Sequence, residues 1–166
     1  MDHQRWKDVS PDSPEQQQPV IGIIGMGDMG RMYARRLSAA GWMKIYVCDR
    51  PEKYKTLTED MRGFPGVTVL KDGHLVSRSS DFIMYAVEAE FIGKVVAQYG
   101  ASTKVGAIVS GQTSVKDPER QAFEKHLPPD VYIVSVHSLH GPAISTEGQP
   151  LVNHSLLAVM RIILIP

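Results

Sequence analysis

The feature that most constrains this chain is "VIGIIGMGDMGRMYARRL" at residues 20–37, where an apolar run breaks at Gly25, Gly27 and Gly30 and then resumes as an amphipathic stretch. The first part has the near-continuous apolar character of a strand buried on both faces, and the last part has the spacing of a helix that buries one side. A G-x-G-x-x-G loop between strand and helix has a physical reason at each glycine. Gly25 permits a tight turn, Gly27 has no side chain to keep a pyrophosphate away from the backbone, and Gly30 lets helix and strand pack closely. Asp28 and Met29 begin the helix, whose unpaired N–H groups and positive dipole end would face the phosphates. Ordinary turn glycines would show the same spacing. The ligand site is favoured because the next apolar run, "KIYVCD", ends in Asp49, nineteen residues after Gly30.

The runs "VIGIIG", "KIYVCD", "VTVL", "DFIMYAV", "GAIVS" and "VYIVSV" recur with helical stretches at 28–40, 51–61, 89–99 and 115–126. This alternation predicts a doubly wound α/β domain of the Rossmann type, with a mostly parallel sheet covered on both faces. A chain of 166 residues has room for one such core and little more. Residues 1–17, which run into the low-complexity "EQQQP" at 15–19, read as a disordered leader, residues 18–152 as the dinucleotide-binding domain, and residues 153–166 as an atypical apolar tail. The leader carries neither a secretory signal nor a transit peptide. The tail's apolar core is too short to span a membrane and contains Arg161.

Eighteen basic residues balance eighteen acidic ones, so no global field favours nucleic acid or an anionic membrane surface, and any anionic ligand must be held locally. Cys48 is the single cysteine. It excludes an internal disulfide, suits a reducing, cytoplasmic compartment, and its apolar setting makes it an inert buried thiol. No histidine pair or Cys and carboxylate cluster has the spacing of a metal site.

Which dinucleotide binds is ambiguous at this level. Asp49 can accept hydrogen bonds from a ribose 2′-hydroxyl, whereas the adjacent Arg50 can pair with a 2′-phosphate. Lys53 and Lys55 add positive charge, as a solvated helix face also would. Further along, "VYIVSV" runs into "HSLHGP" and places His137 at the carboxyl end of a strand, the edge where open α/β sheets bind ligands. The strand "GAIVS" delivers Gln112, Thr113, Ser114 and Lys116 to the same edge. A neutral histidine there, its second ring nitrogen held by a neighbouring hydroxyl, suits a general base near neutral pH. A surface or capping histidine is the competing explanation, and Ser114 has one too, as a helix cap.

Together, "IGIIGMGDMGRMYARRL", "CDR", "DGHLVSRSSDFIMYAVEA", "VGAIVSGQTSVKDPE", "AFEKHLP" and "VHSLHGPAISTEGQPLV" resemble the fungal prephenate dehydrogenases of tyrosine biosynthesis over residues 18–152. The resemblance implies oxidative decarboxylation of prephenate to 4-hydroxyphenylpyruvate with NADP as cofactor, which tips the Asp49 and Arg50 pair towards NADP. It places on His137 the histidine that engages the ring hydroxyl of prephenate, and on Ser114 the serine that orients substrate and nicotinamide. Thr113 stands where that loop has glycine.

The resemblance also implies a helical second domain that completes the substrate pocket and forms a homodimer. After Val152 the sequence departs from the family, so the chain reads as a fragment, a truncated or misassembled gene product. Two other readings stay open. One is a β-hydroxyacid dehydrogenase, matched by the opening G-x-G-x-M-G but not by "VHSLHGP". The other is a non-catalytic NADP-binding remnant.

Overall fold

A computed structural model describes residues 6–153. Its sheet follows the expected runs: β1 (Ile21–Ile24), β2 (Ile45–Cys48), β3 (Val67–Val69), β4 (Phe82–Tyr85), β5 (Ile108–Gly111) and β6 (Tyr132–Ser138). These six strands are parallel in the order β3-β2-β1-β4-β5-β6. The order reverses at β1 and β4, which opens a crevice above their carboxyl ends. The helices are α1 (Asp28–Ala39), α2 (Tyr54–Asp60), α3 (Gly73–Ser79), α4 (Ala89–Tyr99) and α5 (Lys116–His126).

Side chains alternate across the sheet and build a core on each face. Ile21, Ile23 and Met84 join Tyr33 and Leu37 of α1 on one side, with Trp42 and Leu57. Ile24, Ile83 and Tyr85 join Ile92 and Val96 of α4 and Phe123 of α5 on the other. Both faces of the central strands are therefore covered, which is why those strands read as continuous apolar runs.

Two elements go beyond the sequence reading. The seven-residue α3 is capped by Asp72, whose Oδ1 accepts a hydrogen bond from the Leu75 N–H at 3.0 Å. At the far edge β7 (Leu151–Asn153) pairs antiparallel with β6, setting Val152 opposite His137.

Part of the expected leader falls among the described residues. Residues 6–17 lie against the domain, tied by Gln18, which is only 2% exposed. Its Nε2 donates to the carbonyls of Pro11, Ser13 and Gly41, and its Oε1 accepts from the Met43 N–H at 2.8 Å. Val9 packs on the α1 side of the core. One buried amide with its donors and acceptor satisfied thus holds a stretch whose composition alone reads as disorder. The expected apolar tail, from residue 154 on, lies outside the described residues. Among the described residues, no helix is long and apolar enough to cross a membrane.

Candidate active site

Each glycine of the loop can be tested by the space around it. Gly25 has a φ of +98°, and a Cβ there would lie 2.5 Å from Val87 Cγ1 and 2.6 Å from the Ala86 carbonyl oxygen. At Gly30 a Cβ would lie 2.0 Å from the Gly25 carbonyl oxygen, so α1 is seated directly on the turn. Gly27 is the opposite case, because a Cβ there would meet nothing within 4 Å. Its smallness serves no packing purpose within the protein, which fits a position kept clear for a ligand. Gly27 is also the N-cap of α1 and supplies no side-chain cap, so the helix's first N–H groups have no such partner. Asp28 is exposed in that first turn, and Met29 packs partly against the core.

Beside the loop is a cleft of about 470 Å³, walled by Ile24–Gly27, by Cys48–Lys53 and by Phe91, Lys94 and Gln98 of α4. Asp49 is turned back towards the chain. Its Oδ2 accepts from the Met26 N–H at 3.3 Å, its Oδ1 accepts from the Arg50 N–H at 2.7 Å, and Lys53 Nζ stands 3.7 Å away. Arg50 is exposed on the cleft, with Glu52 3.5 Å from its Nε. Cys48 is fully buried under the cleft. Burial, followed by the nearby charges of Asp49 and Asp72, pushes its thiol up to about 12. At neutral pH it therefore has no thiolate for nucleophilic chemistry.

Across the crevice, β5 and β6 bring the two sequence-predicted catalytic residues to adjacent strand ends. The last β5–β6 pair is Gly111 with Ser135, so Ser114 and His137 follow it by three and two residues. His137 is half-buried and Ser114 exposed. The capping explanation for Ser114 fails, since Val115 is the N-cap of α5. Ser135 and His137 share the face that carries α5, by strand alternation.

The polar groups around this pair are engaged in holding the scaffold. On the α1 side, Tyr33 donates to Gln112 Oε1 at 2.8 Å and hydrogen-bonds Ser138 Oγ, joining the helix after the glycine loop to the ends of both strands. Burial raises the Tyr33 phenol, with the Ser138 bond opposing. On the α5 side sits Glu119, 1% exposed. Its Oε2 accepts from the Thr113 N–H (3.0 Å) and Oγ1 (2.7 Å), and its Oε1 accepts from Ser135 Oγ (2.6 Å) and Lys116 Nζ (3.2 Å). Lys116 Nζ also donates to the Val136 carbonyl at 2.6 Å. Desolvation lowers the Lys116 ammonium, while Glu119 works in the opposite direction.

The hydroxyls that flank His137 in its strand bond Glu119 and Tyr33, and among the described residues none is hydrogen-bonded to its ring. His140 faces the Gly141 carbonyl at 3.1 Å. Sequence reasoning missed Glu119 and Tyr33 altogether.

Fold, glycine loop and strand edge together define an α/β domain of the dinucleotide-binding class. Residues 20–111 match the family described as NADP oxidoreductase, coenzyme F420-dependent, and the chain belongs to that family.

It is 61% identical over 132 residues to the probable prephenate dehydrogenase (NADP+) of Schizosaccharomyces pombe, covering 80% of this chain and 30% of that protein. With the prephenate dehydrogenase (NADP+) of Saccharomyces cerevisiae it shares 56% identity over 150 residues, covering 88% and 33%. The chain thus spans about a third of the length of these curated relatives. The crystal structure of prephenate dehydrogenase from Aquifex aeolicus superposes with a TM-score of 0.59 at 24% identity, over 73% of this chain and 43% of that one, and shares its fold.

Proposed function

We propose that this chain is the nucleotide-binding part of an NADP-dependent prephenate dehydrogenase, with His137 as the base and Ser114 orienting the reactants. One observation carries the site. Of the polar side chains brought to the ends of β5 and β6, Gln112, Thr113, Lys116, Ser135 and Ser138 are hydrogen-bonded into the scaffold, while Ser114 is exposed and His137 half-buried, which supports these two as the reacting pair. The names of the two fungal relatives support the substrate and cofactor.

Cofactor choice follows from the second strand. Asp49 is drawn to the Met26 and Arg50 amides, and Arg50 is left exposed on the cleft to meet a 2′-phosphate. The clear space at Gly27 and the first turn of α1, at Asp28 and Met29, receive the pyrophosphate. NADP+, when bound, supplies the hydride acceptor. His137 takes the proton from the ring hydroxyl of prephenate as hydride and carbon dioxide leave, and Ser114 holds the hydroxyl and the nicotinamide in register. Aromatisation of the ring drives the reaction, so the protein's task is orientation and exclusion of water. Homodimerisation belongs, in this reading, to the portion of the relatives beyond this chain's span. The balanced charge and the buried thiol of Cys48 support a cytoplasmic setting.

The test is prephenate-dependent reduction of NADP+ by a full-length protein that carries this domain, followed by nicotinamide absorbance. His137→Asn should remove it while leaving nucleotide binding intact. Loss in His140→Asn, with His137→Asn unaffected, would refute the assignment.

A further inference from the structure

Glu119 is the most deeply buried charged group at the crevice, and four donors from three different elements converge on it. Thr113 belongs to the loop after β5, Lys116 to the first turn of α5, and Ser135 to β6. The carboxylate also occupies the place a side chain would take at Gly111, where a Cβ would lie 2.0 Å from Glu119 Cδ. The backbone there is bare because the acid fills the space. Lys116 closes the arrangement by reaching the carbonyl of Val136, the residue before His137. The network therefore fixes the residue that precedes Ser114 and the residue that precedes His137.

We propose that buried Glu119 and its half-buried partner Lys116 are a positioning device for the nicotinamide end of the nucleotide: they fix the loop carrying Ser114 against the strand carrying His137. The proposal rests on the dinucleotide reading of the glycine loop. With the pyrophosphate over Gly27 and the adenosine half in the cleft bounded by Arg50 and α4, the other half of an extended dinucleotide crosses the switch point towards the ends of β4, β5 and β6. The loop at 112–115 lies there. Neither Glu119 nor Lys116 lines the adenosine cleft. A hydrogen-bonded carboxylate under a short loop holds its geometry without touching the ligand, and a loop pinned at Thr113 presents Ser114 in one conformation rather than several.

This role separates from a purely structural one by comparing two ligands in the full chain: NADPH, and 2′-phospho-ADP-ribose, which lacks the nicotinamide. Glu119→Gln removes the charge that holds Lys116 and one of the two acceptor oxygens. It should weaken NADPH about tenfold and leave 2′-phospho-ADP-ribose within twofold. Gly111→Ala, which keeps every charge but displaces the carboxylate, should show the same split. Thr113→Val removes one donor and should give a smaller loss of the same kind, covering the case in which Glu119→Gln does not fold. Arg120→Ala, on the exposed side of α5, should change neither ligand. Equal weakening of both ligands, or no weakening of NADPH, overturns the positioning role while the nucleotide reading stands. A wild-type chain that binds neither ligand overturns the nucleotide reading and this proposal with it.

Discussion

The two halves of the crevice are built by different physics. Around the glycine loop the important property is absence: no side chain at Gly27, a turn that only Gly25 adopts freely, and a helix seated so closely that Gly30 cannot carry a Cβ. At the ends of β5 and β6 it is saturation, because Tyr33 and Glu119 engage the polar groups around Ser114 and His137. One half keeps a position clear of side chains, and the other ties the polar groups around Ser114 and His137 into the scaffold. The first design depends on steric exclusion within a few consecutive residues. The second depends on hydrogen bonds among residues up to 105 positions apart.

Substitutions in the two halves should therefore fail in different ways. The largest effect is expected on the saturated side: in a full-length protein that carries this domain, His137→Asn should lower prephenate turnover by about 10² to 10⁴, the usual worth of a general base, with nucleotide affinity nearly unchanged. Steady-state kinetics beside a binding titration checks this, and a matching loss of nucleotide affinity would blur the division.

On the empty side, Gly30→Ala forces a Cβ against the Gly25 carbonyl and should cost about 1 to 3 kcal/mol of stability, read from denaturant unfolding. Gly27→Val should leave that unfolding curve in place and weaken NADPH and NADH alike, since its side chain enters the pyrophosphate space rather than the protein. Equal destabilisation by both substitutions would contradict the distinction drawn between the two glycines.

A smaller effect concerns Cys48, buried beneath the cleft. Its folded thiol titrates near 12 against an ordinary value of 9.0, so its raised value contributes stability that is complete below about pH 9. That contribution is lost as pH climbs towards 12, by up to about 1.4 kcal/mol per pH unit. Cys48→Ala should flatten this part of the stability profile, measured by urea unfolding at several alkaline pH values. At neutral pH the native thiol should not react with a disulfide reagent until the protein unfolds.

The same contrast explains what the sequence made legible. Apolar strand runs and the three glycines are local patterns, and β1 to β6 and α1 stand where those patterns put them. Asp49, at the predicted strand end, also stands where expected, but its backbone partners depend on how β2 lies beside the glycine turn. Glu119 looks, in "SVKDPER", like an ordinary solvated acid in the first turn of a helix. Its burial follows only from the Gly111 to Ser135 register, which no local pattern encodes. Gln18 was hidden in the same way, directly after a tract whose composition suggests disorder, because its carbonyl partners include Gly41, 23 residues away. The cap at Asp72 was a readable sign of α3, but "DG" equally marks a turn and the helix has only seven residues. β7 left no signal, because its three residues gain strand character only by pairing with β6.

Arg50, exposed on the cleft beside Glu52, is the residue proposed to select NADP, and a titration of the chain with NADPH and NADH before and after Arg50→Ala measures its role. A charge-assisted pair to the 2′-phosphate is worth about 1.5 to 3 kcal/mol, so NADPH should bind roughly ten- to a hundredfold more tightly than NADH, and Arg50→Ala should remove most of that preference. Equal affinities in the wild-type chain, or a preference that survives Arg50→Ala, would show that Arg50 does not select the cofactor.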